Sequence, residues 1–273
     1  MKRLLQLLRW RSAYVLPALL LLILLALVLT GCETNTPQNT FDAQGEVARK
    51  QRDLFYLAMW PAIAVMVLVM GVLVIALLRF RRRSADELPK QVHGNTRLEV
   101  IWTVLPAVLL LALGIPMVVA IYDIGRAPSK DSYPIKVTGI QWAWQFEYPE
   151  ILGQDGKPVS TLGEVHIPVG REIGFTIAAA DVIHSFWVPK LAGKLDAVPG
   201  EENRMWMKAD EPGSFSGQCA EFCGLGHSGM KLVLIAQSQA DFDAWAKEMQ
   251  AGNKAAPAGE SAGAVAAAGT DGR

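Results

Sequence analysis

The stretch GQCAEFCGLGHSGM (residues 217–230) places two thiols, an imidazole and a thioether within the twelve residues from Cys219 to Met230. Three glycines between Cys223 and Met230 allow the chain to wrap closely around a small object, because glycine carries no Cβ. A further histidine, His184, lies 35 residues before Cys219. Soft sulfur ligands combined with imidazoles select copper, zinc or iron. The stretch therefore predicts a metal site.

Three interpretations of this site remain open. If both thiolates bridge two copper ions, each ion receives two sulfurs and one histidine; Met230 completes one ion, and a backbone carbonyl near Glu221 completes the other. A Cys₂His₂ zinc site would leave Met230 unused and usually has closer cysteine spacing. A Cys219–Cys223 disulfide is possible in an oxidising compartment, but it leaves the histidines and Met230 without a role. We favour the copper pair because it uses every group.

The residues around this stretch predict a small all-β domain between 128 and 250. Segments of strand length alternate with glycine and proline turn signals, which is typical of a β-sandwich or barrel. Strands are predicted at 135–138, 164–167, 173–177, 186–188, 204–207 and 231–235, with a short helix at 241–250. Residues 251–273 are rich in alanine and glycine without periodicity, which predicts a disordered tail.

The composition argues against a fully soluble protein. The 273 residues are 51% hydrophobic and 19% charged, with mean hydropathy +0.24. Two uncharged runs, 54–78 and 100–122, are long enough at about 1.5 Å per residue to cross a bilayer core of about 30 Å. The loop between them, 79–99, holds six Lys/Arg and is cytoplasmic by the positive-inside rule. The β-domain is then exported.

The N-terminus predicts an export signal. Residues 1–31 combine a basic start, an apolar run and small residues at the end. The sequence Leu29-Thr30-Gly31-Cys32 resembles the lipobox of bacterial lipoproteins, which implies lipidation of Cys32 and an exported segment over 32–53. An uncleaved signal anchor with a free Cys32 would give the same topology. Either way we expect the protein in the bacterial cytoplasmic membrane.

Charge and repeats exclude other classes of protein. From residue 128 onward, 12 Lys/Arg against 18 Asp/Glu give a net charge of −6. This acidic surface is either solvated or a docking surface for a basic partner, since complementary charge raises encounter rates. Three cysteines are too few for a disulfide scaffold. No internal repeat and no basic stripe occur, so a solenoid and a nucleic-acid partner are not expected.

The motif Cys-x-Glu-x-Cys-x3-His-x2-Met, with the upstream His-Ser-Phe-Trp-Val-Pro, resembles subunit II of the haem–copper cytochrome c oxidases over roughly residues 45–245. The resemblance implies a two-helix transmembrane hairpin followed by a cupredoxin-like Greek-key barrel with the binuclear copper centre CuA. It implies that electrons pass from cytochrome c through CuA to haem in subunit I, where O₂ is reduced with proton translocation. The implied ligands are His184, Cys219, Glu221 (through its carbonyl), Cys223, His227 and Met230.

The resemblance also assigns roles near the copper site. Trp142, in Gly139-Ile140-Gln141-Trp142-Ala143-Trp144, matches the residue that takes the electron from cytochrome c, although a tryptophan pair on a strand is more often core. The Glu221 carboxylate and Asp196 match a magnesium or manganese site at the subunit I interface. A turn-stabilising role for Asp196 is the alternative.

Three further acidic residues have implied roles. Glu99 matches the mouth of a proton pathway, and a favourable interaction with the helix dipole is the alternative. Glu147 and Asp181 match acidic positions that dock cytochrome c. His93 and His166 match no ligand and are interpreted as ordinary loop or surface residues.

Other family members and other classes stay as alternatives. A quinol oxidase subunit II shares the fold but lacks the copper ligands, and a nitric oxide reductase carries the same copper domain. A membrane-anchored copper carrier would not need the Trp142 segment or paired helices. No cysteine follows Cys223, so no covalent c-type haem is expected. The expected partners are oxidase subunits I and III, a separate cytochrome c and membrane lipids.

Overall fold

The computed structural model describes residues 36–81 and 94–252, together with Ile23. Several predictions lie outside these residues. They are the signal peptide, lipidation of Cys32, most of the basic loop 79–99, His93, and the tail from residue 253 onward.

Two long helices contain the predicted membrane-spanning runs. Helix α1 spans Glu46–Arg79 and helix α2 spans Thr96–Ile124, and both are long and apolar enough to cross a membrane. The Asn95 side chain begins α2 by accepting hydrogen bonds from the backbone N–H groups of Arg97 and Leu98, which would otherwise lack partners in the first turn. Helix α1 begins eight residues before its uncharged run, because its first turn packs on the β-domain and buries Val47 and Ala48.

Within the described residues, ten strands form two five-stranded sheets. The strands of the first sheet, in spatial order, are β3 (Pro158–Leu162), β2 (Ala143–Leu152), β1 (Tyr133–Ile140), β5 (Ile173–Ala179) and β8 (Asn203–Met207). Those of the second are β4 (Glu164–Pro168), β10 (Lys231–Gln237), β9 (Gly213–Cys219), β6 (His184–Trp187) and β7 (Leu195–Ala197). Helix α3 (Gln239–Gln250) follows β10.

The inner faces of the two sheets share one core. Burial alternates strictly along β1, as expected when one face of a strand meets the core. Phe186 of the second sheet contacts the rings of Trp144 and Phe146 of the first at 5.6 and 6.1 Å. Cys219, Cys223 and Met230 belong to the same core. The predicted fold class is confirmed: two apolar helices precede a β-sandwich.

His166 corrects one sequence-based interpretation, because it is buried rather than a loop or surface residue. It lies on β4, is 6% exposed and stacks on Trp245 of α3 with ring centroids 4.3 Å apart. Its Nε2 lies 2.5 Å from a Glu164 carboxylate oxygen, and its Nδ1 lies 3.0 Å from the Gln237 side-chain oxygen. The imidazole can be buried because both ring nitrogens have partners.

Candidate metal centre

Two paired strands and one loop bring the predicted ligands together. His184 is the first residue of β6 and Cys219 the last of β9, and these strands pair with Phe186 opposite Cys219. A 3-10 helix, His227–Gly229, ends the loop immediately before Met230. The backbone N–H of Cys219 donates to the Met230 carbonyl at 2.9 Å. The loop is therefore closed at its base by this hydrogen bond.

The two thiols lie at a distance that suits shared metal coordination. Their Sγ atoms are 3.8 Å apart, and both cysteines are free. Two sulfurs that each lie about 2.3 Å from one ion can be at most about 4.6 Å apart. The observed separation therefore fits two thiolates on a common ion without movement of the backbone.

The two imidazoles lie beside different thiols, and the Met230 thioether lies 3.2 Å from His184 Nδ1 and 3.7 Å from Cys223 Sγ. His184 Nδ1 is 3.2 Å from Met230 Sδ and 3.9 Å from Cys219 Sγ. At the other end, His227 Nδ1 is 3.6 Å from Cys223 Sγ. The Glu221 carbonyl oxygen is 3.2 Å from Cys219 Sγ. Six donors thus converge, with one histidine at each end, which is the arrangement that two ions sharing two sulfurs require.

Burial makes the two thiols reluctant to ionise. Cys219 and Cys223 are 4% and 3% exposed. Burial, followed by the neighbouring Cys219 thiol, raises the pKa of Cys223 to about 11. Since metals bind the thiolate, a cation that enters this site must displace protons. The donor set therefore fits a strongly thiophilic metal such as copper better than hard cations such as magnesium.

Asp181 supports the site from outside. Its carboxylate accepts hydrogen bonds from His184 Nε2 at 2.8 Å and from the backbone N–H groups of Gln141 and Val182. Desolvation of the carboxylate acts to raise the pKa of Asp181, but these hydrogen bonds outweigh it, and the pKa is lowered overall. Because Nε2 is engaged, Nδ1 of His184 faces the sulfurs, as in other metal sites where a carboxylate orients the histidine. Asp181, predicted as a docking residue, thus also contacts a predicted ligand.

Trp142 lies between the surface and the metal-site loop, which is the segment 220–230 between β9 and β10. It occupies the turn between β1 and β2, is 43% exposed, and donates from Nε1 to the Cys223 carbonyl at 3.2 Å. The Gln141 side chain donates to the same carbonyl at 2.7 Å. A Cβ at Gly226 would lie 2.4 Å from the Trp142 ring, so glycine is needed for the indole to pack this closely. Trp144, by contrast, is fully buried.

The remaining predicted side chains contact groups other than the six donors. Lys194 Nζ is 3.4 Å from an Asp196 carboxylate oxygen and 3.9 Å from one of Glu221, so both acids of the predicted magnesium site surround an ammonium group. The Glu99 carboxylate accepts the backbone N–H of Asn95 at the start of α2, at 3.2 Å. Glu147 lies on β2 opposite Lys136 and is half-buried.

The sequence did not predict the hydrogen bond from the Gln141 side chain to the Cys223 carbonyl, nor the contact between Asp181 and His184. Asp181 stands three residues before His184, a spacing that could have suggested the contact. Gln141 and Cys223 are 82 positions apart, and no local pattern connects them.

Two family profiles match the chain. The profile of "Cytochrome C oxidase subunit II, transmembrane domain" matches residues 33–119, and that of "Cytochrome C oxidase subunit II, periplasmic domain" matches residues 133–237. The chain belongs to the cytochrome c oxidase subunit II family. It is therefore a membrane-anchored protein related to a subunit of the haem–copper oxidases.

Curated relatives carry two names. The chain is 42% identical to cytochrome c oxidase subunit 2 of Alkalihalophilus pseudofirmus, over 83% of this chain and 66% of the relative. It is 35% identical to cytochrome c oxidase subunit 2 of Bacillus subtilis, over 85% and 68%. It is also 35% identical to quinol oxidase subunit 2 of Bacillus spizizenii, over 85% and 71%. The chain thus spans about two thirds of these relatives' lengths.

Among solved structures, the chain is similar to the periplasmic domain of subunit II of cytochrome oxidase from Bradyrhizobium japonicum. The two are 32% identical, with a TM-score of 0.41, over 45% of this chain and 96% of that one.

Proposed function

We propose that this chain holds a binuclear copper centre and transfers electrons one at a time from cytochrome c to the haem-containing subunit I of an oxidase. The observation that carries the proposal is the convergence of six donors, with one histidine at each end of a thiol pair. Family membership alone leaves the electron donor open, because relatives include quinol oxidase subunits. A quinol oxidase subunit would not need a complete copper ligand set.

The ligands are assigned to two ions. His184 and Met230 would hold one ion, His227 with the Glu221 carbonyl would hold the other, and the Cys219 and Cys223 thiolates would serve both. A copper pair held this way supplies one-electron chemistry through soft thiolate ligands. The protein buries His184, Cys219, Cys223 and Met230, and the six donors would complete the coordination of both ions without a position for a substrate, so this chain conducts electrons and leaves the reduction of O₂ to subunit I.

Trp142 is the proposed point of electron acceptance. It is the exposed aromatic side chain in hydrogen-bond contact with the Cys223 backbone. A donor that docks over its exposed edge would therefore be connected to a thiolate ligand through the indole and one carbonyl.

The proposed topology places the domain 128–250 outside the bacterial cytoplasmic membrane and the loop 79–99 inside. The segment 1–31 is the proposed signal, and mass spectrometry of the mature N-terminus would test whether Cys32 is lipidated.

Subunit III is a proposed further partner. Glu221 and Asp196 are proposed to bind magnesium or manganese once subunit I is present; a manganese EPR signal unaffected by Asp196→Asn would contradict this.

Metal content tests the function directly. We expect the full chain, purified in detergent with the assembled oxidase, to contain two copper ions beyond those of subunit I. It should be purple and give a seven-line mixed-valence EPR signal, because one unpaired electron is shared by two equivalent nuclei. A single copper, zinc, or no metal at Cys219 and Cys223 would contradict the proposal.

Glu99 is proposed to lie at the mouth of a proton pathway into subunit I. Glu99→Gln keeps an oxygen to accept the Asn95 N–H, so α2 should still begin at the same residue. We expect turnover to fall several-fold, about 1 kcal/mol or more in barrier height, while the copper EPR signal stays unchanged. Turnover equal to that of the unmodified enzyme would show that Glu99 only supports the helix terminus.

Glu147 is proposed to attract the basic donor. We expect Glu147→Gln to raise the KM for cytochrome c at low salt and to weaken its dependence on ionic strength, because exposed charges are screened by salt. Glu150→Gln is the matched control, since Glu150 is an exposed acid on the same strand. Equal effects of the two variants would reduce the role of Glu147 to that of general surface charge.

A further inference from the structure

Trp206 lies where both membrane helices meet the β-domain. It is on β8, at the edge of the first sheet, yet its side chain is only 2% exposed. Its indole N–H donates to the carbonyl of Ile124, the last residue of α2, at 3.1 Å. An edge-strand tryptophan is therefore buried by the membrane helices rather than by the sheet sandwich alone.

Two cations flank the same indole. The Arg126 guanidinium carbon lies 4.0 Å from the ring centroid, and Lys50 Nζ of α1 lies 5.2 Å from it. Both distances are within the range of a cation–π interaction. Trp206 thus contacts α1 through Lys50 and the end of α2 through Ile124 and Arg126.

Carboxylates hold both cations in place. Glu172 makes two hydrogen bonds to the Arg126 guanidinium, at 2.7 and 3.1 Å, a geometry that fixes the orientation of the group. Lys50 Nζ lies 2.6 Å from Asp123 of α2 and 2.9 Å from Glu46 of α1. The cations are therefore tied to the two helices and to the start of β5 at once.

The backbone leaves room for this junction. Gly174 lies opposite Trp206 in the β5–β8 register. A Cβ on it would lie 2.7 Å from Ser132 Oγ and 2.9 Å from a Pro128 carbon, so the linker after α2 crosses the sheet at this glycine. On the α1 side, the Glu46 N–H donates to the Lys208 carbonyl at 3.3 Å.

We infer that Trp206 is a positioning residue that fixes the orientation of the β-domain over the membrane helices. The functional part of this inference rests on the proposed function. The electron that leaves the copper pair is gained by the haem of subunit I, and the rate of that step falls steeply with distance. Trp206 is neither oxidised nor reduced; it keeps the distance constant by preventing the domain from tilting about the linker after α2.

The orientation is measured on the full chain in lipid nanodiscs. Nitroxides are attached to non-natural residues introduced at Met66 on α1 and Leu162 on β3, both exposed, so that the native cysteines stay unlabelled. Pulsed dipolar EPR then gives the distance distribution. Trp206→Leu should broaden it at least twofold, whereas Trp206→Phe, which keeps an aromatic ring between the cations, should restore part of the order. Arg204→Ala, an exposed position on the same strand, should leave it narrow.

The outcomes separate this inference from the proposed function. An unchanged narrow distribution in Trp206→Leu would overturn the inference, whatever metal the chain binds. If that variant does not accumulate, Trp206→Phe removes the hydrogen bond to the Ile124 carbonyl while keeping a ring, and a distribution there as narrow as that of the unmodified chain has the same meaning. In the assembled oxidase, a broadened variant should transfer electrons from copper to haem several-fold more slowly with an unchanged copper spectrum. Absence of copper from the unmodified chain would refute the proposed function alone.

Discussion

Replacing Cys223 with serine is expected to remove the copper pair and to lower cytochrome c oxidation by more than about 100-fold, beyond the loss typical of a group that only supports a ligand. The Cys223 sulfur lies 3.8 Å from Cys219 Sγ, 3.6 Å from His227 Nδ1 and 3.7 Å from Met230 Sδ. It is the atom that connects both ends of the site. A hydroxyl is a harder donor, and it cannot replace a bridging thiolate on copper.

Copper content and the EPR spectrum of the purified Cys223→Ser variant measure this effect separately from turnover. Met230→Leu is the matched control, because it keeps an apolar side chain at a fully buried position and removes only the thioether. We expect that control to retain two coppers with an altered spectrum. Two coppers and a seven-line signal in Cys223→Ser would show that the thiols do not bridge.

The predicted strands match where apolar and β-branched residues form a local pattern, as at β1, β5 and β10. Strand β9 (Gly213–Cys219) was missed because Gly213-Ser214-Phe215-Ser216-Gly217 has no apolar run. It is a strand because β10 and β6 pair with it on either side. Strand β2 was missed although Trp144, Phe146 and Tyr148 alternate with polar residues along it, because the segment that starts at Trp142 was considered only for the roles of its two tryptophans. The assignment of β9 thus depends on distant partners that a local pattern does not contain.

His166 illustrates the same limit for burial. A histidine between Val165 and Ile167 is expected to be exposed, because an unpartnered buried imidazole costs free energy. The side-chain oxygens of Gln237, 71 positions away, and of Glu164 lie 3.0 and 2.5 Å from its two ring nitrogens, and Trp245 covers the ring. Burial is then favourable, but only the folded chain brings these groups together.

The candidate metal site was easier to predict than the strands around it. Five of its six donors lie in one stretch of twelve residues, and the short segments of chain between them limit how far apart they can be. His184 lies outside that stretch, and the pairing of β6 with β9 is what brings it to Cys219. The link from Asp181 to Gln141, and from Gln141 to the Cys223 carbonyl, follows from tertiary structure.

Trp142→Phe is expected to slow electron acceptance from cytochrome c by more than about tenfold in kcat, or about 1.4 kcal/mol, without loss of copper. Phenylalanine keeps an aromatic ring against Gly226 but removes the Nε1–H that donates to the Cys223 carbonyl. Gln141 still donates to that carbonyl, so the loop should keep its shape. Stopped-flow oxidation of reduced cytochrome c, with copper content determined on the same sample, measures the effect.

Trp144→Phe separates electron transfer from packing. Trp144 is fully buried, and within residues 36–81 and 94–252 its Nε1 has no hydrogen-bond partner, so phenylalanine removes volume but no polar contact. We expect a loss of stability of roughly 1–3 kcal/mol, as for partial truncation of a buried side chain, with unchanged electron acceptance. If Trp144→Phe slows cytochrome c oxidation as much as Trp142→Phe, the effect arises from the packing of the turn. If only Trp142→Phe is slow while both variants hold two coppers, the exposed indole and its single hydrogen bond to the metal-site loop carry the electron.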